Sequence, residues 1–393
     1  MSHLVLTGYK NLQKILTSDS YRRVPTRFFC ALLQMSHNNN HQNPAPGLMG
    51  LNEVVQVLED LAPLSLAESW DNVGLLVEPS KPRPVKTILL TNDLTDNVME
   101  EAEAVRCDLI VSYHPPIFQP IKRLVQKDWK QRLAIRAVEA GMAVFSPHTS
   151  WDSVRGGVND WLVGGLGRGQ VSVLSQAYNN TKHTHIVEFQ SRTEHLDSLL
   201  GELKALDPVT TVQDTHRADD DYTQVRLNCS DSVLTPVVDK VIQHIISCHS
   251  LRILKLEKVP LLNHGQGRLG VLDQPLTVAT AVQKMKSHMG LTHLRLALGQ
   301  GCTQESFVRT VAVCAGSGAS VLKGVQADLY ITGEMSHHDV LDAVAKGTSV
   351  ILSDHSNSER GYLAVFRDKL TQRLPANVTV MVSKADRDPL VVV

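Results

Sequence analysis

The feature that most constrains this chain is the stretch 329–360, LYITGEMSHHDVLDAVAKGTSVILSDHSNSER. Two apolar runs, 328–332 and 350–353, read as buried strands, and an amphipathic segment, 339–345, lies between them. In an open α/β sheet, ligands gather beyond the carboxyl ends of the strands. Here those ends carry Glu334, His337, His338, His355 and Glu359. His355 and Glu359 stand four positions apart, so a helix opening near Ser356 brings both side chains to one face. An imidazole and a carboxylate placed that way suit a cation such as zinc, with donor distances of about 2.0–2.2 Å. A surface ion pair worth about 0.2–0.5 kcal/mol uses the same spacing, so the pair decides nothing alone.

The same arrangement recurs upstream. From Leu51, LNEVVQVLEDL has helical spacing and Pro63 ends it, and SWDNVGLLVEP then turns into a short strand. TILLTNDLT, DLIVSYHPPIF and MAVFSPHTSWD read as further strands ending in polar clusters, with helices at 97–105 and 129–140 between them. Alternation of this kind predicts a largely parallel sheet covered by helices. Its strand ends supply His114, His148 and Asp152, and His148 and Asp152 repeat the four-residue spacing. Several strand ends offering imidazole or carboxylate make a much stronger constellation than any one of them. Between 183 and 258 the pattern changes to β-α-β-β-α-β, the order of a ferredoxin-like unit.

Bulk properties exclude several classes. A formal net charge of −1 over 393 residues gives no electrostatic basis for direct nucleic-acid binding. No apolar run approaches eighteen residues, so no membrane span is expected. The six cysteines are scattered without a C-x-x-C pair, which disfavours a disulfide framework and makes a reducing compartment the default. Residues 1–49 are basic, poor in acids and rich in hydroxyls; they read as a transit peptide or as a cytosolic extension. The expected organisation is a leader at 1–49, an α/β lobe at 50–180, the ferredoxin-like insertion at 181–260 and a second α/β lobe at 261–393.

The blocks ESWDNVGLLV, SYHPPIF, SPHTSWDSVRGGVNDWL, GRLG, CAGSG, ADLYITGEMSHHD and DHSNSER, in that order, resemble the NIF-three-like family, also called the GTP cyclohydrolase I type II family. The resemblance runs over most of 51–393 and implies a two-metal site between two α/β lobes, in subunits that assemble into dimers and rings. Family members hold metal with a His-His pair, an Asp in an H-T-x-x-D block, and the His and Glu of an H-x-x-x-E block. The positions matching here are His114, Asp152, His355 and Glu359, with Tyr113 standing where the first His of the pair would be. A neutral phenol is a poor ligand, so the site is expected to hold one ion or two.

The donor set itself suits zinc, manganese, iron or cobalt better than calcium or copper. Glu334 and His338, with His337, are candidates for proton transfer, or else they hold loops and helix ends. His148 reads as an orienting group more than a ligand, and the Trp70-Asp71-Asn72 turn as a brace. Gly316 and Gly318 offer backbone N–H groups to a phosphate, or simply a tight turn. Two functions follow as expectations: a metal-dependent hydrolase of a small, nucleotide-like substrate, and a metal-stabilised scaffold binding transcriptional regulators. The expected compartments are cytoplasm and mitochondrion, with the nucleus a further possibility.

Overall fold

Period-two alternation organises the body of the chain. The structure is a computed structural model that describes residues 49–393 apart from 82, 180–182, 207–210, 218–220 and 245–247. The leader read at 1–49 lies, up to residue 48, outside the described residues. In chain order the helices are α1 (Leu51–Leu61), α2 (Asp96–Ala104), α3 (Trp129–Ala140), α4 (Thr149–Ser153), α5 (Val158–Gly164), α6 (Leu196–Leu206), α7 (Asp231–Gln243), α8 (Val278–Met289), α9 (Ala319–Leu322), α10 (His337–Ala345) and α11 (Tyr362–Thr371). The strands are β1 (Gly74–Val77), β2 (Thr87–Thr91), β3 (Leu109–Ser112), β4 (Ala143–Ser146), β5 (Gly169–Tyr178), β6 (His185–Arg192), β7 (Thr211–Arg217), β8 (Tyr222–Cys229), β9 (Cys248–Lys255), β10 (Pro260–Thr277), β11 (Arg295–Ala297), β12 (Phe307–Ser317), β13 (Leu329–Glu334), β14 (Ser349–Leu352) and β15 (Thr379–Val382).

Among the described residues the strands form three sheets. The first has the order β1-β4-β3-β2-β15, with β4, β3, β2 and β15 parallel and β1 antiparallel at one edge. The second runs β11-β14-β13-β12-β10-β5, parallel through β14, β13 and β12 and antiparallel at each flank. The third, β7-β8-β6-β9, is antiparallel throughout and carries α6 and α7 on a core of its own that includes Val187, Phe189, Leu199, Val225 and Val237. It is the ferredoxin-like insertion, strand for strand as its β-α-β-β-α-β order predicts.

Two strands cross the domain limits read from the sequence. β5 pairs with β10 and so belongs to the second sheet, although it precedes residue 181. β15, near the end of the chain, returns to the first sheet with Thr379 opposite Thr87. Partner strands far apart in sequence leave no local signal of their pairing.

Alternation explains why the first two sheets are layered. In β2, β3 and β4 the residues Ile88, Leu90, Leu109, Val111 and Phe145 face one large core, whereas Leu89, Ile110 and Val144 face a second core beneath α2 and α3. In the second sheet Val311, Val313, Leu329, Ile331 and Ile351 enter that same large core, and Ala312, Cys314, Tyr330 and Val350 face outward to another. With a side-chain period of two, each strand feeds both faces. Because the two sheets share one core, their polar strand ends can meet.

Candidate metal centre

Beyond the carboxyl end of β3, Tyr113 and His114 follow directly; beyond β14, His355 opens a short 3-10 turn, Ser356–Ser358, that leads to Glu359. The expected α-helix at Ser356 is thus a tighter turn. Glu359 still lies 3.6 Å (Oε1) from His355 Nε2 and 3.5 Å (Oε2) from His114 Nε2. One ligating atom from each of His114, His355 and Glu359 falls within 4.8 Å of the others. The imidazole centroids are 5.2 Å apart.

Each of these rings is oriented by a carboxylate at its other nitrogen. Asp93 Oδ1 lies 2.9 Å from His114 Nδ1, and Glu334 Oε1 lies 2.7 Å from His355 Nδ1. A ring whose Nδ1–H donates to a carboxylate keeps the lone pair of Nε2 for a cation, the usual outer-shell device of imidazole metal sites. Burial lowers the pKa of His114, only partly offset by Asp93, and this favours the neutral, ligating form. For Asp93 burial acts upward, but the hydrogen bond and charge of His114 prevail and leave its carboxyl below the usual range.

His148 repeats the pattern. Its Nδ1 is 2.7 Å from Asp71 Oδ1, and the backbone N–H of Thr149 donates to Asp71 Oδ2. Its backbone is held at φ +33°, a left-handed conformation costly for a side-chain-bearing residue. Asp354, just before His355, is held at φ +69°. Both imidazole-bearing loops therefore carry strain next to the site.

The fourth candidate ligand, Asp152, is buried in α4 and lines a cavity of ≈ 520 Å³ together with Tyr113, His148, Cys314, Gly316, His355 and Glu359. Tyr113 is buried too, and its hydroxyl donates to Asp152 Oδ1 at 2.7 Å. Burial, then the charges of Asp152 and Glu359, raise the phenol pKa well above its ordinary value. Tyr113 is accordingly a neutral donor to the carboxylate. Burial pushes Asp152 up to about 6 despite that hydrogen bond, and burial reinforced by Asp152 drives Glu359 well above the usual carboxylate range.

Glu359 is 2% exposed, and among the described residues its ion-pair partners are the two imidazoles; Asn92 Nδ2 also donates to it at 3.1 Å. A buried carboxylate beside two imidazoles and a second buried carboxylate is a costly arrangement without a cation. Gly316 shapes the cradle: at φ +63°, a Cβ there would lie 2.7 Å from Glu359 Oε1 and 3.1 Å from His355 Nε2. The residues present fit a divalent ion.

The other expectations divide. Gly316 N donates to Ser358 Oγ and Gly318 N to Thr332 Oγ1, so these amides are committed within the fold and the phosphate-cradle reading is withdrawn. Glu334 lies outside the cavity lining and holds His355; His338 is exposed on α10, edge-on to His337. The proton-transfer roles read for Glu334 and His338 are therefore not retained.

The family model described as Duf34/NIF3 (NGG1p interacting factor 3) matches residues 49–389. The chain belongs to the NIF3 family. It is 46% identical over 385 residues to human "NIF3-like protein 1", covering 96% of this chain and 100% of that protein. Yeast (Saccharomyces cerevisiae) "NGG1-interacting factor 3" is 31% identical over 355 residues, covering 87% and 96%. Among solved structures, Staphylococcus aureus protein SA1388 superposes with a TM-score of 0.64 at 21% identity, covering 89% of this chain and all of that one, a likeness of fold.

Within this NIF3 fold, Asp93, Asn92 and Asp71 are the site residues that sequence reasoning missed or undervalued. Asn92 and Asp93 follow β2, so the strand-end rule that selected His114 and Asp152 could have found them. Asp71 was read only as part of a bracing turn; the structure makes it the carboxylate that orients His148.

Proposed function

We propose that this protein binds a divalent metal ion through His114, His355 and Glu359, with Asp152 adjoining, and hydrolyses a small molecule held in the adjacent cavity. The observation that carries this reading is the convergence of three ligating atoms within 4.8 Å, with both rings turned toward the group by their own carboxylates. Mixed imidazole and carboxylate donors suit zinc, manganese or iron. When bound, such an ion supplies Lewis acidity toward an electrophile and lowers the pKa of water. The chain's own residues supply the rest: Asp93 and Glu334 fix the two rings, Tyr113 holds Asp152 in place, and the cavity walls position the substrate. A nucleotide-like substrate accords with the size of the cavity.

The test pairs metal content with a hydrolysis screen on purified protein. Stoichiometric metal, with turnover abolished in Glu359→Gln, supports the hydrolase. Tyr113→His tests ion number: a gain of about one ion, the second of a paired site, places Tyr113 at a lost ligand position, and unchanged content removes that assignment.

A second reading rests on the yeast relative's name, NGG1-interacting factor 3: a scaffold that binds protein partners in transcription. Exposed Leu251, Ile253 and Leu254 on β9 of the ferredoxin-like unit offer apolar surface for such a partner. A metal-free protein that keeps full partner binding and shows no turnover favours this reading over the hydrolase.

A further inference from the structure

Trp70 is the most exposed aromatic side chain lining the cavity, with 61% of its surface open, while Tyr113 in the same lining is 2% exposed. Its exposure does not come from a loose loop. Asp71 beside it is bonded to His148 and Thr149, Asn72 Nδ2 donates to the carbonyl of Ile117 at 2.6 Å, and Glu68 N donates to Thr149 Oγ1 at 3.0 Å. The turn is thus tied to the loops after both β3 and β4. The indole is braced by ring contacts with Phe118 and His148, at centroid distances of 6.1 and 6.0 Å. A large apolar ring held rigidly open at the lip of a polar cavity is a pre-organised contact whose ordering cost is already met by the fold.

The same cavity is lined by the polar groups Asp152, His355 and Glu359. At ≈ 520 Å³ the cavity has the size of a small-molecule site, and Trp70 is the large apolar side chain in a mostly polar lining. An indole offers its flat π-face, and the partner that uses that face best is another planar ring.

We propose that Trp70 is the specificity-determining platform on which a planar aromatic or heteroaromatic ring of the substrate stacks, placing the rest of that molecule against His355, Glu359 and Asp152. This deepens the hydrolase reading and rests on it for the word substrate; the ring-binding surface itself does not depend on metal or turnover.

The test is ligand-observed NMR on the full chain with adenosine, uridine and nicotinamide as planar probes, against ribose and cyclohexanecarboxamide as matched non-planar controls. The expected result is saturable binding of at least one planar probe and of neither control. That binding should weaken about tenfold or more in Trp70→Ala, the scale of a lost aromatic stack, and persist in Trp70→Phe, which also guards against misfolding. Binding of no planar probe, or equal binding by wild type and Trp70→Ala, overturns the platform. Loss of protein association in Trp70→Ala with probe binding unmoved assigns the indole to a protein contact and equally overturns it. Glu359→Gln separates the two readings. Trp70-dependent ring binding retained there without metal leaves the platform standing even if hydrolysis is disproved. Turnover that needs Glu359 but is indifferent to Trp70→Ala removes the platform alone.

Discussion

The two walls of the centre are built differently. The wall from the first sheet is the drier: the side chains of His114 and its orienting carboxylate Asp93 are 22% and 36% exposed, and Tyr113 bonds the buried Asp152. The wall from the second sheet is open at its rim, where the side chains of His355 and Glu334 are 40% and 51% exposed, although Glu359 beneath them is buried. A hydrogen bond in a low-dielectric setting holds its partner more tightly than one bathed in water. The first wall thus presents an imidazole in a fixed orientation, and the second presents one that solvent can help to reorient. Glu359 joins them, since it approaches both rings.

That difference can be broken or sharpened by experiment. The largest effect belongs to Glu359→Gln, which removes the shared ligand: bound metal should fall from about one ion per chain to none after dialysis against a chelator, with the fold retained by circular dichroism. Next come the two orienting carboxylates, for which loss of an outer-shell partner costs about 10–100-fold in metal affinity. Asp93→Asn should fall near the top of that range and Glu334→Gln near the bottom, measured by competition with a chromophoric chelator; equal losses would erase the distinction between the walls.

Acidification should act on the buried carboxylates. Burial lifts Asp152 to about 6 in the metal-free protein, and an ion needs that carboxylate unprotonated. Metal affinity should therefore fall as the pH drops through that value, with a proton on Glu359, whose carboxyl burial lifts well above the usual range, competing for the ion as well. The smallest effect is expected from Tyr113→Phe. The lost hydroxyl held Asp152 down, so the same titration should move to higher pH while its depth is kept. A profile unmoved by Tyr113→Phe would detach Asp152 from the pH response.

Much of this was legible from residue patterns. The strand-end clusters offered His114, His148, Asp152, His355 and Glu359 with Glu334, His337 and His338, because imidazoles and carboxylates after apolar runs stand out against a hydrophobic background. The family resemblance narrowed these to His114, Asp152, His355 and Glu359. The ferredoxin-like unit was legible because its elements are consecutive and carry their own core. What escaped was non-local. The return of β15 to the first sheet depends on a partner almost three hundred residues away, Thr379 opposite Thr87. Asp93 lies in NDLTD, a string that reads equally well as a turn before α2, and only the folded geometry brings its carboxylate to His114. Gly316 was read for its amide; its importance lies in the missing Cβ, which lets Glu359 and His355 approach the backbone. Such close approaches belong to the meeting of two sheets, which no single stretch encodes.

The most direct test of the centre is X-ray absorption at the metal edge of native protein. Two imidazoles and carboxylate oxygen predict a first shell of nitrogen and oxygen at about 2.0–2.2 Å, with the outer scattering of histidine rings. A shell with sulfur at about 2.3 Å would place the ion on a thiolate such as Cys314, which lines the same cavity, and would contradict the assignment to His114, His355 and Glu359.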